Sequence, residues 1–182
     1  MRVLTISGSL RPESLNTLLL RAAEEQAPAG VQLVRFAELA AIPPFHGERS
    51  DPGESPAAVR ELREQIEAAD AVLIATPEYN GSIPGVLKNA LDWVSTPFPD
   101  NVLRGKPVAV IGASTGGYGG MWAQAELRKV LGLTGARVVN GDLSLARAHE
   151  HFDDAGTLAA PHDERLTRVL DTLLAEVQPL AA

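Results

Sequence analysis

Residues 71–94 read AVLIATPEYNGSIPGVLKNALDWV and carry the clearest indication of the fold class. Its first six residues, 71–76, form an almost continuous apolar run, which is typical of a central strand covered on both faces. A turn rich in proline and glycine follows, and Pro84 then opens a run with apolar residues three or four positions apart, as in a helix. A buried strand that passes through a turn into a helix is the repeating unit of a parallel α/β sheet.

The same unit recurs on both sides of this stretch. Further strands are predicted over residues 2–7, 31–35, 107–113 and 136–139. Helices are predicted over 14–27, over 55–69, from Pro84 until Pro97, after Gly120 as far as Leu131, and along an apolar stripe from Leu166 to Val177. Residues 36–56 hold Pro43, Pro44, Pro52, Gly53 and Pro56, which indicates a long irregular loop.

Five strands that alternate with helices predict one domain over residues 1–182, an α/β doubly wound parallel sheet with helices on both faces. The strand count and the short first connection favour the flavodoxin-like strand order 2-1-3-4-5 over the six-stranded dinucleotide-binding fold. Ligands of such sheets bind beyond the carboxyl ends of the strands, between strands 1 and 3. The loops after strands 1, 3 and 4 are therefore the candidate site.

The amino-acid composition limits which binding partners and which cellular compartment we expect for this chain. The chain has 182 residues and a formal net charge of −7. An acidic excess disfavours binding to nucleic acid and to anionic membranes, so neither is expected as a partner. The absence of cysteine excludes disulfides, thiol catalysis and thiolate metal sites. No apolar run is long enough to span a membrane and the start lacks the features of a signal peptide, so a cytoplasmic protein is expected.

The loop after strand 1 reads SGSLRPESLNT over residues 7–17. It matches neither the G-x-G-x-x-G fingerprint of dinucleotide-binding folds nor the P-loop. It does combine hydroxyl and amide side chains, one arginine and the start of a helix, and this donor set suits a phosphate monoester. An alternative interpretation makes Ser14 only a helix cap and Arg11 a solvated charge.

The loop after strand 3 carries Tyr79 in a turn with proline and glycine. The backbone N–H groups from Asn80 to Ser82 are expected to face the crevice, where they could stabilise negative charge on a flat heterocycle. The ring of Tyr79 could lie beside the same ligand. The alternative is an ordinary strand-to-helix turn with a packed tyrosine.

Three motifs together resemble the NAD(P)H-dependent FMN reductases, flavodoxin-like proteins that include quinone, chromate and azo-dye reductases. They are SGSLRPESLNT at 7–17, TPEYNGSIPGVLKNALDWVS at 76–95 and GASTGGYGG at 112–120. FDDAGTL at 152–158 is also similar, whereas residues 36–56 match least. The resemblance implies FMN as cofactor, NAD(P)H as co-substrate and a small-molecule acceptor: a quinone, free flavin, an azo compound or a metal oxyanion. It also implies ping-pong transfer of hydride from NAD(P)H to flavin N5 and then to the acceptor.

The resemblance also implies which residues hold the cofactor. The FMN phosphate would be held by Ser9, Arg11, Ser14, Asn16 and Thr17. The isoalloxazine ring would be framed by Pro77, Glu78, Tyr79, Asn80 and Gly81, and its other edge lined by Ser114, Thr115, Gly116 and Gly117. No catalytic side chain is expected, because the flavin carries the chemistry. The glycines from 116 to 120 are expected to keep the flavin face open, although a simple turn is the alternative.

Relatives in this family are usually dimers or tetramers, so a homo-oligomer is expected. The third helix and the segment around Trp122 would supply the contact, with exposed apolar side chains at Trp93, Phe98 and Trp122. A metal site is not expected, and His46 and His162 are interpreted as solvated loop residues. A different class of function stays open at this point, an FMN-binding electron carrier of the flavodoxin type. The preference for NADH or NADPH also stays open.

Overall fold

The computed structural model describes residues 1–49 and 53–177. Pro52 of the predicted loop and residues 178–182 of the predicted domain lie outside the described residues. The strands in the described ranges are β1 (Arg2–Ser7), β2 (Gln32–Phe36), β3 (Ala71–Ala75), β4 (Pro107–Ala113), β5 (Arg137–Val138) and β6 (Leu143–Leu145). The helices are α1 (Leu15–Glu25), α2 (Ala57–Glu67), α3 (Gly85–Val94), α4 (Met121–Leu133) and α5 (His162–Ala175). Short 3₁₀ turns cover Leu39–Ala41, Gly47–Arg49 and Ala148–Glu150.

The sheet is parallel and has the order β2-β1-β3-β4-β5, so the predicted fold is confirmed. Ile6 of β1 lies opposite Ile74 of β3, and Ile74 lies opposite Val110 of β4. Every residue of β3 and β4 is buried. This burial is the physical reason for their continuous apolar runs, since both faces of these strands are covered by helices.

The predicted single fifth strand over residues 136–139 is wrong in extent. β5 pairs only with the start of β4, and a further strand, β6, pairs with the end of β4. Asn140, Gly141 and Asp142, all poor strand formers, separate the two short strands. Nη2 of Arg128 in α4 donates to the carbonyls of Val110 and Gly141, at 2.9 Å each, and so fills the interruption in the sheet.

The helices form a layer on each face of the sheet. Leu62 of α2, Leu87 of α3 and Leu127 of α4 belong to one buried cluster, which also contains Ile74. Leu19 of α1 and Leu170 of α5 belong to a second cluster on the opposite face. Within the part of the chain that the structure describes, no helix combines the length and the apolar content needed to cross a bilayer.

The sheet carries its hydrogen bonds past the strand ends and thereby aligns the loops. The N–H of Gly8 donates to the carbonyl of Ala75 at 2.8 Å, and the N–H of Thr76 donates to that of Ile111 at 3.0 Å. Ser114 donates in the same way to Leu145, at 3.1 Å. The loops that follow β1, β3 and β4 therefore begin side by side at one edge of the sheet.

Candidate functional site

A crevice of about 170 Å³ lies where these loops meet. Its lining combines polar and apolar groups: Ser9, Arg11, Glu13, Ser14, Leu15, Asn16, Pro77, Glu78, Tyr79, Ala113, Ser114 and Thr115. The structure thus brings together most of the predicted site residues from all three loops. The remaining predicted residues lie outside this lining: Thr17, Asn80, Gly81, Gly116 and Gly117.

The loop after β1 presents several hydrogen-bond donors to one end of the crevice. Ser14 caps α1, since its Oγ accepts hydrogen bonds from the N–H groups of Asn16 at 3.2 Å and Thr17 at 3.4 Å. The N–H of Leu15 has no acceptor among the described residues, as expected for the first residue of a helix. Arg11 is exposed beside it. The cap predicted as the alternative for Ser14 is thus present, together with free donors and a positive charge.

Two of the predicted phosphate ligands have their side chains engaged within the protein. The buried carboxamide of Asn16 donates to the carbonyl of Ala113 and accepts from its N–H, both at 2.9 Å. Oγ1 of Thr17 lies 3.0 Å from Oγ of Ser7. Asn16 therefore joins the start of α1 to the end of β4 and fixes the floor of the crevice. A contact of either side chain with a phosphate stays a prediction.

Residues 79–82 form a tight hairpin turn at the other end of the crevice. Tyr79 and Ser82 exchange two backbone hydrogen bonds, of 3.0 and 3.1 Å. Asn80 has φ 54° and Gly81 has φ 74°, the conformation of a type I′ turn, for which Asn-Gly is the preferred sequence. The expectation that the N–H of Ser82 faces the crevice is wrong, because it donates to Tyr79. The N–H groups of Asn80 and Gly81 have no acceptor among the described residues.

Glu78 connects this turn to α4. Its Oε2 accepts hydrogen bonds from the N–H groups of Trp122 and Ala123, both at 3.0 Å. The cap position of α4 is Gly120, which has no side chain, so the carboxylate of Glu78 satisfies the free N–H groups and opposes the positive end of the helix dipole. This role of Glu78 was not predictable from the sequence, because the partners are 44 residues apart and no local pattern records the contact.

The glycine loop, residues 116–120 between β4 and α4, has two parts in which glycine is present for different reasons. Gly119 and Gly120 have φ of 61° and 76°, and a Cβ on Gly119 would lie 2.6 Å from the carbonyl carbon of Ser144. Turn geometry and the close approach of β6 therefore require glycine at position 119. Gly116 and Gly117 have neither restriction, since a Cβ would lie 3.5 Å from Oγ of Ser114 at one and meet nothing within 4 Å at the other. An open ligand face stays a prediction for these two glycines.

Of the aromatic side chains expected on the surface near the site, Trp93 is buried. It is only 1% exposed, because it packs inward from α3, and its Nε1 donates to the carbonyl of Pro43 at 2.8 Å. The expectation of a surface tryptophan at this position is therefore wrong. Tyr118 and Trp122 are exposed, with their ring centres 4.7 Å apart, at the start of α4. Phe98 is also exposed, but it follows the end of α3 at the opposite edge of the sheet, so the expectation that it lies beside the flavin is wrong.

Two histidines pack together behind the glycine loop. The ring of His162, at the start of α5, lies 4.2 Å from that of His151, so the expectation of a solvated His162 is wrong. Partial burial lowers the pKa of His162 from its ordinary value, His151 and Arg165 lower it further, and Asp163 opposes them. His46 is exposed, as expected. The described residues contain no group of three or more side chains arranged to hold a metal ion.

The donor set of the crevice fits FMN. A phosphate monoester suits the hydroxyl of Ser9, the guanidinium of Arg11 and the free N–H of Leu15 at the start of α1. A flat ring suits the space between Tyr79 and Thr115, from loops that follow neighbouring strands. The position also agrees with the rule that ligands of doubly wound sheets bind where the strand order reverses.

Comparison with known proteins identifies the family. A family model described as NADPH-dependent FMN reductase matches residues 1–150. An NAD(P)H-dependent FMN reductase of Pseudomonas aeruginosa is 43% identical over 159 residues, 87% of this chain and 84% of that protein. A quinone reductase of Escherichia coli K12 is 42% identical over 140 residues, 77% of this chain and 74% of that protein.

The agreement extends to a solved structure. FerB, a flavoenzyme NAD(P)H:(acceptor) oxidoreductase from Paracoccus denitrificans, has a TM-score of 0.83 to this chain at 30% sequence identity. The match covers 97% of this chain and 99% of that one. Sequence, fold and crevice chemistry agree: the chain belongs to the NADPH-dependent FMN reductase family and is an FMN- and NAD(P)H-dependent oxidoreductase.

Proposed function

We propose that this enzyme transfers hydride from NAD(P)H to a quinone by way of FMN bound in the crevice. The observation that carries the proposal is the arrangement of the crevice, with a phosphate-binding donor set at one end and an exposed tyrosine at the other. Tyr79 is 49% exposed, so a planar acceptor can reach it. The quinone reductase activity named for the Escherichia coli relative supports this choice of acceptor.

In this proposal, Ser9, Arg11 and the N–H of Leu15 hold the phosphate, and Pro77 and Thr115 flank the ring. When bound, FMN supplies the hydride chemistry, which no side chain of the protein can supply. The free N–H groups of Asn80 and Gly81 directly follow Tyr79 of the lining and would donate hydrogen bonds to the edge of the bound ring. The protein therefore contributes binding, orientation and electrostatics.

The accessibility of the crevice has a kinetic consequence. Because Tyr79 and Thr115 flank one mouth, we propose that NAD(P)H and the acceptor enter there in turn. This arrangement predicts ping-pong kinetics, with parallel lines in double-reciprocal plots of rate against NADPH at several quinone concentrations. Intersecting lines would contradict alternating entry without affecting the family assignment.

We also propose that the enzyme works as a homo-oligomer. Tyr118, Met121 and Trp122 form an exposed apolar surface beside the crevice, with Met121 47% and Trp122 48% exposed. A second copy covering this surface would remove apolar area from water and would narrow the mouth of the crevice.

Reduction under anaerobic conditions tests the proposal. Protein saturated with FMN should lose the yellow flavin absorbance when NADPH or NADH is added without oxygen. The absorbance should return when one equivalent of benzoquinone follows. Failure of both nicotinamide cofactors to reduce the flavin would overturn the proposal and favour an FMN-binding electron carrier. Reduction without reoxidation by any quinone would overturn the assigned acceptor alone.

A further inference from the structure

A second cavity, of about 280 Å³, lies on the other side of the loop that follows β1. Its lining comes from the end of β1, the loop after it, α1, and the end of β2 with the segment that follows. The charged residues of this lining are all arginines, and they come from three separate elements. Arg11 lies in the loop, Arg21 on α1 and Arg35 on β2. We refer to this space as the arginine cavity.

The charge of the arginine cavity is unusual for this chain. The chain has a net charge of −7, yet among the described residues no aspartate or glutamate lines the cavity. Within residues 1–49 and 53–177, the guanidinium groups of Arg11, Arg21 and Arg35 have neither a hydrogen-bond partner nor a salt bridge. All three arginines are exposed, and Arg11 is assigned to the FMN phosphate, so Arg21 and Arg35 are the charges left for an anionic ligand of this cavity.

The rest of the lining indicates what the anion carries. The lining also includes three hydroxyl residues, Ser7 of β1, Ser9 of the loop and Thr17 of α1. Leu10 and Pro12 of the loop, with Phe36 and Leu39 after β2, give it an apolar wall. A cavity with a cationic, hydroxyl-rich part and an apolar part suits a phosphorylated nucleoside, whose base packs on the wall while its phosphate pairs with arginine.

The position of the cavity relates it to the crevice. The two share Ser9 and Arg11. Neighbouring strands lie about 4.8 Å apart, so the end of β2 is roughly 10–15 Å from the space between β3 and β4. A dinucleotide in an extended conformation bridges this distance. We propose that the arginine cavity binds the adenosine 2′-phosphate of NADPH, with Arg21 and Arg35 as the residues that select NADPH over NADH.

This inference rests on the proposed function, but its test includes a measurement that does not. The probe is 2′,5′-ADP, added to FMN-loaded protein in a calorimeter, with 5′-ADP as the comparison ligand. We expect Arg21→Ala and Arg35→Ala each to weaken 2′,5′-ADP binding by about tenfold to a hundredfold, the effect of losing a charge-assisted hydrogen bond. Affinity for FMN should not change. Arg35→Lys should restore part of the loss, and Arg168→Ala, at a solvent-exposed position on α5, is the matched control.

Turnover provides the second measurement. kcat/KM for NADPH should fall by a similar factor in Arg21→Ala and Arg35→Ala, whereas kcat/KM for NADH should stay at the wild-type value. Equal losses for both cofactors, or unchanged binding of 2′,5′-ADP, would overturn the inference. Weakened FMN binding in either variant, or displacement of 2′,5′-ADP by excess FMN, would instead assign the cavity to flavin. If 2′,5′-ADP binds as expected but neither cofactor is oxidised, the proposed function fails and the arginine cavity keeps its ligand.

Discussion

Arg11 is the one residue whose charge faces both the crevice and the arginine cavity. Because Arg11 is the only cation among the described residues that line the crevice, Arg11→Ala should weaken FMN binding by about tenfold to over a hundredfold, the value of a charge-assisted hydrogen bond. Hydride transfer in protein that still holds flavin should change less. Fluorescence titration with FMN measures the affinity, and Arg11→Lys is the conservative comparison. Unchanged affinity would remove Arg11 from the phosphate site.

The glycine loop allows a test that separates folding from ligand binding. Gly119→Ala should lower the free energy of unfolding by roughly 2–4 kcal/mol, because the new Cβ meets the backbone of β6 and φ is positive. Gly117→Ala has neither cost, so its stability should stay within about 0.5 kcal/mol of wild type. If Gly117 keeps the flavin face open, the variant should show a raised KM for NADPH or quinone. Thermal melts and steady-state rates per bound flavin check both variants, and wild-type kinetics in Gly117→Ala would make position 117 a simple turn.

His162 should make stability depend on pH. Its pKa is lowered in the folded protein, so as pH falls below the ordinary histidine value of about 6.5 the unfolded chain takes up this proton first. Stability should therefore fall with pH until the lower folded pKa is passed. The groups around this ring are His151, Arg165, Asp163 and, in the same cavity, Arg147 and Glu150. Melting temperatures at about pH 7.5 and about pH 5 should differ less in His162→Gln than in wild type. His46→Gln, at an exposed position, should match wild type.

Among the elements, the interrupted fifth strand depends on one side chain. Nη2 of Arg128 donates to the carbonyls of Val110 in β4 and of Gly141 between β5 and β6, and to the carboxylate of Asp142, and burial lowers the pKa of its guanidinium. Arg128→Ala leaves these carbonyls without their donor, so we expect a loss of about 2–4 kcal/mol in unfolding free energy. Urea denaturation measures it. Lys129→Ala, one position along the same helix, should change stability by less than about 0.5 kcal/mol, and equal effects would deny Arg128 this role.

The elements also show where sequence patterns succeed. The strands β3 and β4 were predictable because buried strands consist of consecutive apolar residues. The start of α1 was predictable because its cap, Ser14, is a neighbour in the sequence. The short strand β6 was not predictable, since three residues acquire their conformation only by pairing with Ile111–Ala113 of β4. In the crevice, the hydrogen-bond donors of the loop after β1 and the turn at Asn80-Gly81 were predictable, because each is encoded by a short local sequence. Two other contacts could not be predicted, because their partners are distant in the chain. They are the hydrogen bonds of Glu78 to α4 and the two hydrogen bonds between Asn16 and Ala113.

At the scale of the whole molecule, the strand order was predictable because chain length and the handedness of crossovers leave few arrangements. The inward position of Trp93 was not, because it depends on the loop around Pro43, whose path no periodicity records.

Assembly is the remaining prediction for the whole molecule. Tyr118, Met121 and Trp122 are 64%, 47% and 48% exposed, a large apolar content for a surface beside the crevice. Light scattering at micromolar concentration should give at least twice the chain mass of 19.3 kDa. Trp122→Ser should shift the protein towards the single chain, while Leu133→Ser, at an exposed position on the far end of the same helix, should not. A wild-type mass of one chain would contradict the prediction.

The carboxylate of Glu78 has a consequence for engineering new acceptor preferences. Its hydrogen bonds to the N–H groups of Trp122 and Ala123 fix the turn at 79–82 relative to the start of α4. The distance between the loop after β3 and the loop after β4 therefore depends on this contact. A library that randomises residues 76–85 freely would lose this spacing in most of its members. A library that keeps residue 78 acidic and varies Tyr79 and Thr115 would change the shape of the crevice opening while the spacing of the two loops stays the same.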